Sequence, residues 1–205
     1  MDTQGDGKGT ALEALLPMTL YKIVSFYTPD YESYAKGLIE SIQTHLLGVP
    51  YEIDPIPQRR WAEATCFKAE FILEKLRVSK DRVLWIDADA LVAGELSFPP
   101  VDFAIYARWT SRLRYSWSPF RTGTVLLAPS AEGITLAEEW VKRSKRKDGI
   151  DQWGLWNAWH ALMNEGGIMP TTHFLHLSYC QKKEEAGEPK IVHLMASRRL
   201  KKLKP

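Results

Sequence analysis

The sequence predicts an α/β fold with a mostly parallel sheet. Segments rich in β-branched and aromatic residues alternate with segments whose apolar residues recur at helical spacing, and this alternation is typical of βαβ units. One short segment, at 82–86, is almost entirely apolar, as strands buried on both faces of a sheet are. Because 45% of the 205 residues are hydrophobic, the chain can bury one substantial core. We therefore expect a single folded domain at 18–197.

The first half of the chain predicts the order βαβαβ. The expected elements are strands at 20–28, 51–57 and 82–86 and helices at 31–47 and 63–76. Gly48 and Pro50 end the first helix. Pro55 and Pro57 remove hydrogen-bond donors from the second strand, so we expect this strand to lie at an edge of the sheet or to end early.

The second half of the chain predicts three more strands and two helices. The expected elements are strands at 102–108, 122–129 and 190–195 and helices at 134–146 and 151–165. Residues 109–121 form a long polar and aromatic connection. Connections of this length in compact domains are usually functional or mobile, so we expect this one to contribute to function.

Charge, cysteine content and the two termini narrow the class of protein. The net charge is only +2, which excludes a globally basic surface of the kind that binds nucleic acid. Cys66 and Cys180 lack the spacing of a zinc cluster or a disulfide framework, so we expect a reducing, cytoplasmic setting. No run approaches about 20 apolar residues, so we expect no membrane span. Residues 1–17 are typical of a flexible leader, and residues 198–205 form a basic tail.

Two aspartates, Asp87 and Asp89, follow the apolar strand at 82–86, where ligands bind in open α/β sheets. In an extended chain this spacing puts both carboxylates on one side, about 6 to 7 Å apart along the backbone. Hard cations such as Mg²⁺ and Mn²⁺ prefer such oxygen ligands and are often held by one or two carboxylates plus substrate phosphates. The pair therefore suggests a metal-bound diphosphate. The alternative is that Asp87 caps a turn or helix and Asp89 is solvated.

His193, at the end of the closing strand, is the candidate third ligand. Adjacent strands could bring it beside Asp89, so we expect all three side chains to meet at the rim of a single sheet. Arg198 and Arg199 follow within six residues and could neutralise phosphate oxygens. The alternatives are a structural histidine and a solvated basic terminus.

Five segments in the same order resemble the GT-A nucleotide-sugar glycosyltransferases, most closely the retaining galactosyltransferase and glycogenin-like group. They are YKIVSFYTPDYESYAKGLIESI, ATCFKAEFILEKL followed by RVLWIDADALV, FRTGTVLLAP, DQWGLW and VHLMASR. The third is similar to the family's Phe-Asn-x-Gly strand, the fourth to its Asp-Gln helix start and the fifth to its His-x-x-Gly-x-x-Lys end. In that last motif the glycine is Ala196 here and the lysine is Arg199.

The resemblance implies a GT-A three-layer sandwich and a metal-dependent hexosyltransferase. Asp87, Asp89 and His193 would hold Mn²⁺ or Mg²⁺ against the diphosphate of a nucleotide-sugar donor such as a UDP-hexose. Asp151 would hydrogen-bond donor-sugar hydroxyls, and Gln152 would lie beside the anomeric carbon. The expected cofactor- and donor-binding residues are Thr28, Tyr34, Lys68, Asp87, Gly123, Arg198 and Arg199.

Several alternatives stay open at this point. In a retaining enzyme Gln152 would stabilise positive charge on the sugar, whereas in an inverting enzyme Asp151 would serve as the base. Asp151 could equally be a helix N-cap. Because residues 109–121 interleave arginines with aromatics, the acceptor could be a glycan, a small molecule or a modified base in DNA. The alternative functions are a nucleotidyltransferase and an inactive nucleotide-sugar-binding module, and the oligomeric state is open.

Overall fold

Six strands form the central sheet of the protein. The structure is a computed structural model that describes residues 21–108, 118–145, 150–182, 185 and 187–197. The strands are β1 (Tyr21–Tyr27), β2 (Tyr51–Pro55), β3 (Arg82–Ile86), β5 (Phe103–Ala107), β6 (Phe120–Leu127) and β7 (Thr172–Phe174), in the order β2-β1-β3-β6-β5-β7. Only β6 runs antiparallel to its neighbours within this described sheet. The predicted leader, the basic tail and most of the 109–121 connection lie outside the described residues.

Helices cover both faces of this sheet, which makes a three-layer sandwich. They are α1 (Glu32–His45), α2 (Trp61–Val78), α3 (Ala131–Ser144) and α4 (Asp151–Asn164), with short 3₁₀ helices at Pro29–Tyr31 and Leu177–Tyr179. Helix α1 packs in one core, whereas α2, α3 and α4 pack in the other. The predicted α/β sandwich with a mostly parallel sheet is thus confirmed. None of the described helices is both long and apolar enough to cross a bilayer.

Strand β3 shows why the sequence forms this sandwich. Val83 and Trp85 pack in the core below α2, α3 and α4, while Leu84 and Ile86 pack in the core below α1. Because successive side chains of a strand point to opposite faces, a strand covered on both sides must be apolar throughout. This explains the apolar run that precedes the two aspartates.

A second sheet of three strands, which the sequence did not predict, lies beside the α1 face. It consists of β4 (Ala90–Val92), β8 (Gln181–Lys182) and β9 (Ile191–His193), in the order β4-β9-β8. The closing strand was expected in the main sheet, and that prediction is wrong, because β9 pairs with β4 and β8. Strands of two or three residues are too short to produce a recognisable alternation in the sequence.

The positions and bounds of two strands of the main sheet can be compared with the predictions. Strand β2 lies at the edge, as its prolines predicted, and ends at Pro55. Strand β6 begins at Phe120, two residues earlier than predicted. Its first residues pair with the end of β5 across a bulge, with Tyr106 opposite Arg121, so that part of the predicted connection belongs to the strand.

Candidate active site

Asp87 and Asp89 lie immediately beyond β3, at the edge where the parallel strands end. The Asp87 N–H donates to the carbonyl of Gly123 in β6 at 2.9 Å, and the Leu194 N–H donates to the carbonyl of Asp89 at 2.9 Å. Since β4 and β9 pair with Ala90 opposite His193, the histidine comes beside the aspartates. One ligand atom from each of Asp87, Asp89 and His193 lies within 4.8 Å of the others. The three predicted ligands therefore meet, but at the junction of two sheets rather than at the rim of one.

We call Asp87, Asp89 and His193 the acidic trio. The chemistry of these side chains fits a divalent cation. Two carboxylates suit Mg²⁺ and Mn²⁺, whereas an imidazole nitrogen is a ligand more typical of transition metals. Mn²⁺ accepts both kinds of ligand and fits the set better than Mg²⁺ does. Cation binding by the trio remains a prediction.

Gly123 leaves the space that the imidazole of His193 occupies. A Cβ atom at position 123 would lie 2.5 Å from Cε1 and 2.9 Å from Nδ1 of that ring. Real side-chain contacts do not come this close, so any other residue here would displace the ring. The presence of glycine at position 123 can thus be explained by the packing of His193 as well as by the expected role in donor binding.

The two carboxylates of the trio differ in their tendency to ionise. Burial and the negative charge of Asp87 raise the pKa of Asp89 to about 6. Burial, the largest single influence, also opposes ionisation of Asp87, but the charges of Lys68 and His193 and the hydrogen bonds from Lys68 and Trp85 together outweigh it and lower the pKa of that carboxyl. Two carboxylates this close repel each other, and a bound cation would relieve the repulsion.

His193 is buried, and its surroundings favour the uncharged form of its ring. Burial lowers its pKa, Lys68 acts in the same direction and Asp87 opposes them. Its Nε2 lies 3.3 Å from the Thr124 hydroxyl, which donates its own proton to the carbonyl of Tyr179 at 2.8 Å. The hydroxyl oxygen can therefore accept a hydrogen bond from Nε2–H. A protein group that holds one ring nitrogen in this way leaves the other nitrogen with its lone pair.

Lys68 links Asp87 to Asp151 in a buried network. Its Nζ donates to Asp87 Oδ1 at 2.8 Å, to Asp151 Oδ2 at 2.7 Å and to the carbonyl of Thr122 at 3.2 Å. Burial alone would lower the pKa of Lys68, but Asp151 and Asp87 together raise it. All three N–H groups of the ammonium thus have acceptors inside the protein.

Asp151 is the first residue of α4 and is buried, but it is not the helix N-cap, which is Ile150. The N-cap interpretation is therefore wrong. Its carboxylate turns instead toward β6, where Oδ2 accepts from the Thr122 hydroxyl at 2.6 Å as well as from Lys68. The next residue, Gln152, is half-buried, and its Oε1 accepts from Arg121 Nη1 at 3.1 Å.

The remaining predicted residues lie around this centre. Thr28 is buried at the end of β1, and Tyr34 lies in the first turn of α1 with its ring 5.9 Å from that of Tyr31. Burial, then the charges of Asp89 and Asp87, raise the pKa of Tyr31, so this phenol lies near the trio. Arg198 and Arg199 lie outside the described residues.

The segment after His193 contacts the trio through its backbone. The Ala196 N–H donates to Asp89 Oδ2 at 2.6 Å. Met195, just before it, has a left-handed backbone with φ of 56°. Such a conformation is uncommon in residues other than glycine and is often found where a site requires it. Here it directs an N–H group at a carboxylate of the trio.

Sequence reasoning missed four side chains that position the predicted ones. They are Trp85, whose Nε1 donates to Asp87 Oδ1 at 2.8 Å, and Arg121, Thr122 and Thr124 at the start of β6. A signal was present, because polar residues at the start of an otherwise apolar strand often mark its contact with a site. The strand was expected to begin at Thr122, with Arg121 in the connection before it.

Comparisons with known proteins agree with this fold. No family model and no curated protein matches the sequence. A solved glycosyltransferase involved in glycosylation of the major capsid of PBCV-1 is 13% identical, with a TM-score of 0.55, over 88% of this chain and 96% of that one.

Two structures of the glycosyltransferase GlyE of Streptococcus pneumoniae TIGR4, one of them the apo form, are also similar. The apo form is 16% identical with a TM-score of 0.53, and the other is 14% identical with a TM-score of 0.55. In both comparisons the match covers 86% of this chain but only 55% of GlyE, so the chain spans about half the length of these two proteins. Taken together, the three likenesses show that the chain has a glycosyltransferase fold of the GT-A-like type.

Proposed function

We propose that the protein is a metal-dependent glycosyltransferase that moves a hexose from a nucleoside diphosphate donor, such as a UDP-sugar, to an acceptor hydroxyl. The observation that carries the proposal is the convergence of Asp87, Asp89 and His193 within 4.8 Å at the edge of a GT-A-like sheet. When bound there, Mn²⁺ would neutralise the negative charge that develops on the leaving diphosphate.

The residues of the chain have separate tasks in this reaction. The bond between the anomeric carbon and the phosphate oxygen breaks, the acceptor oxygen bonds to that carbon, and the acceptor proton is released. Asp151 is suited to accept a hydrogen bond from a sugar hydroxyl, because Thr122 and Lys68 bind only its Oδ2. Gln152, the next residue of the same helix, would lie beside the sugar. Lys68 would act by fixing both carboxylates rather than by binding the ligand.

Thr28 and Tyr34 would contact the nucleotide, because they lie where β1 ends and Tyr31 between them is near the trio. Arg199 would add positive charge beside the phosphates. We propose the same acceptor classes as the sequence suggested: a glycan, a small molecule or a modified DNA base.

The first experiment measures the thermal unfolding midpoint of the protein with Mn²⁺, with a panel of nucleoside diphosphates and nucleotide sugars, and with both together. Nucleotide and Mn²⁺ together should raise the midpoint more than either alone, since anionic phosphates are repelled by the trio without the cation. A transfer assay on the best donor should release nucleoside diphosphate. Pyrophosphate release would instead indicate a nucleotidyltransferase, and absence of stabilisation by every nucleoside diphosphate would contradict the proposal.

Replacement of Asp89 tests the site directly. Asp89→Ala should remove Mn²⁺-dependent donor binding while the protein stays folded, because apart from the proposed ligand the change removes only the described hydrogen bond from the Ala196 N–H. Asp81→Ala, at the opposite end of β3, is the matched control and should bind as the unchanged protein does. Retained transfer activity in Asp89→Ala would refute the assignment.

A further inference from the structure

Arg121 is a half-buried arginine at the edge of the candidate site. It is the second residue of β6 and lies beyond Thr124, which pairs with the last residue of β3. Its Nη1 donates to the side-chain oxygen of Gln152 at 3.1 Å. Among the described residues no carboxylate forms an ion pair with it.

This environment differs from that of the other arginines that the structure describes in ion pairs. Arg60, Arg77 and Arg143 each pair with a glutamate. Arg121 is partly withdrawn from water, yet its one described hydrogen-bond partner is a neutral amide. A partly desolvated guanidinium retains donors for an anion, and its planar geometry matches a carboxylate or a phosphate.

A second observation places Arg121 near the acidic trio. The carbonyl of Thr122, the next residue of β6, accepts from Lys68 Nζ at 3.2 Å, and the same Nζ donates to Asp87 Oδ1 at 2.8 Å. An anion bound at Arg121 would therefore lie close to whatever the trio holds.

The spacing along β6 indicates which part of a bound donor Arg121 would meet. Gly123 lies against His193, and Arg121 is two residues further toward the strand start, about 6 to 7 Å along the backbone. The phosphates of a donor would lie at the trio. The sugar would extend from them toward Asp151 and Gln152, and the side chain of Gln152 is the one that Arg121 contacts.

We propose that Arg121, held by Gln152, binds a carboxylate on the transferred sugar, so that the donor is a nucleoside diphosphate uronic acid. This inference rests on the proposed function and narrows its donor class. Gln152 fixes the guanidinium through one N–H group, and the other N–H groups bind the two oxygens of the carboxylate.

The test compares Mn²⁺-dependent binding of UDP, UDP-glucose, UDP-galactose, UDP-glucuronate and UDP-galacturonate by calorimetry. The unchanged protein should bind a uronate about 10-fold or more tightly than the matching neutral sugar, as expected for hydrogen bonds between charged groups. Arg121→Gln should remove this preference and leave the affinity for UDP unchanged. Arg77→Gln, a remote surface arginine on α2, is the control and should keep the preference.

A second variant tests the role of Gln152 in holding Arg121. Gln152→Glu gives Arg121 an internal carboxylate partner, which competes with the sugar carboxylate, so the uronate preference should fall about 10-fold while Arg121 is retained. A preference that survives in this variant would overturn the arrangement proposed here.

The remaining outcomes separate this inference from the proposed function. Binding of UDP and neutral UDP-sugars without a uronate preference would overturn the carboxylate proposal and leave the glycosyltransferase proposal standing. An equal loss of affinity for UDP alone in Arg121→Gln would show that Arg121 binds the phosphates, which also overturns it. Absence of binding by every nucleotide in the unchanged protein would remove both proposals.

Discussion

Asp87 uses its two carboxylate oxygens differently. Oδ1 accepts from Lys68 Nζ and from Trp85 Nε1, both at 2.8 Å, while no described residue donates to Oδ2. A cation would therefore meet Asp87 through a single oxygen whose orientation the other oxygen fixes. Ligands held in this way by a second set of contacts are more precise than ligands on free side chains.

Lys68→Met tests how much this network stabilises the fold. Removing the ammonium leaves Asp87 and Asp151 facing each other without a counter-charge, so the free energy of unfolding should fall by about 3 to 5 kcal/mol. Chemical denaturation in EDTA measures this loss. Addition of Mn²⁺ should restore part of it, because the cation compensates Asp87.

The control for this change is Lys36→Met, which removes an exposed lysine whose ion pair with Glu32 lies on the surface of α1. Its stability should match that of the unchanged protein. A Lys68 variant as stable as this control would contradict the importance of the buried network.

Gly123→Ala tests the position of His193. The added methyl group would lie 2.5 Å from Cε1 of the ring, so the imidazole must shift from its present position beside the two carboxylates. Mn²⁺ affinity should fall about 10-fold or more, as it does when ligand orientation is lost. Calorimetric titration with Mn²⁺ measures this directly.

Gly94→Ala is the matched control, because nothing lies within 4 Å of a Cβ atom at that position. It should bind Mn²⁺ like the unchanged protein. Equal affinities for all three proteins would show that His193 is not a ligand.

At the scale of the element, β6 is the strand on which the site depends most. It runs opposite to its neighbours, so its first residues reach the edge where β1 and β3 end. Thr122 contacts Asp151, Gly123 makes room for His193, and Thr124 contacts that ring. These three consecutive residues thus each contact a different part of the site.

Strand β2 illustrates how the edge of the sheet is stabilised. Glu52 pairs with Lys22 at 2.5 Å and also with Lys75, which pairs in turn with Asp54 at 2.9 Å. Hydrogen bonds from Lys22 and then Lys75 lower the pKa of Glu52 to about 2. Charged side chains and a proline on an edge strand also discourage pairing with another chain.

The lowered pKa of Glu52 determines how the free energy of unfolding depends on pH. Glu52 stabilises the folded state above about pH 4.5, where it is ionised in both states, and the contribution is lost as the pH falls toward 2. Because the pairs are partly solvated, we expect about 1 kcal/mol or less. Urea unfolding should show Glu52→Gln to be less stable than the unchanged protein at pH 7, with the difference shrinking at pH 3. A constant difference would contradict this.

Most elements could be predicted from the sequence, because long helices and apolar strands carry their own periodicity. The strand at 82–86 has the predicted bounds, and the edge position of β2 was expected from Pro55 and Pro57. Strands β4 and β8 could not be predicted, since two or three residues have no period and form only where a neighbour supplies hydrogen bonds.

At the scale of the whole molecule, the two cores share one sheet. Strand β3 contributes Val83 and Trp85 to one core and Leu84 and Ile86 to the other. Neither core can unfold without exposing the apolar residues of the other. We therefore expect a single cooperative transition in which near-ultraviolet and far-ultraviolet circular dichroism coincide. Two separate transitions would contradict this interpretation.

The site residues that belong to local sequence motifs could be predicted. Those that reach the site only through contacts between distant parts of the chain could not. Asp87, Asp89 and His193 could be proposed because the two aspartates follow one apolar strand and the histidine ends another. The role of Lys68 could not be read from the sequence, since a lysine on a helix is usually solvated, and here it is buried by residues far away along the chain. Arg121 was expected in a connection but is the second residue of β6.

The antiparallel pairing of β5 with β6 has a consequence for how such a protein could diversify. The chain leaves the site edge at Arg108 and returns to it at Ser118, and the Arg108 N–H donates to the carbonyl of Pro119 at 2.9 Å. Both ends of this excursion are anchored by paired strands. Lengthening, shortening or exchanging the intervening residues would preserve the sheet and the trio, so that chimeras carrying foreign inserts between these two anchors should fold and could acquire new partner molecules.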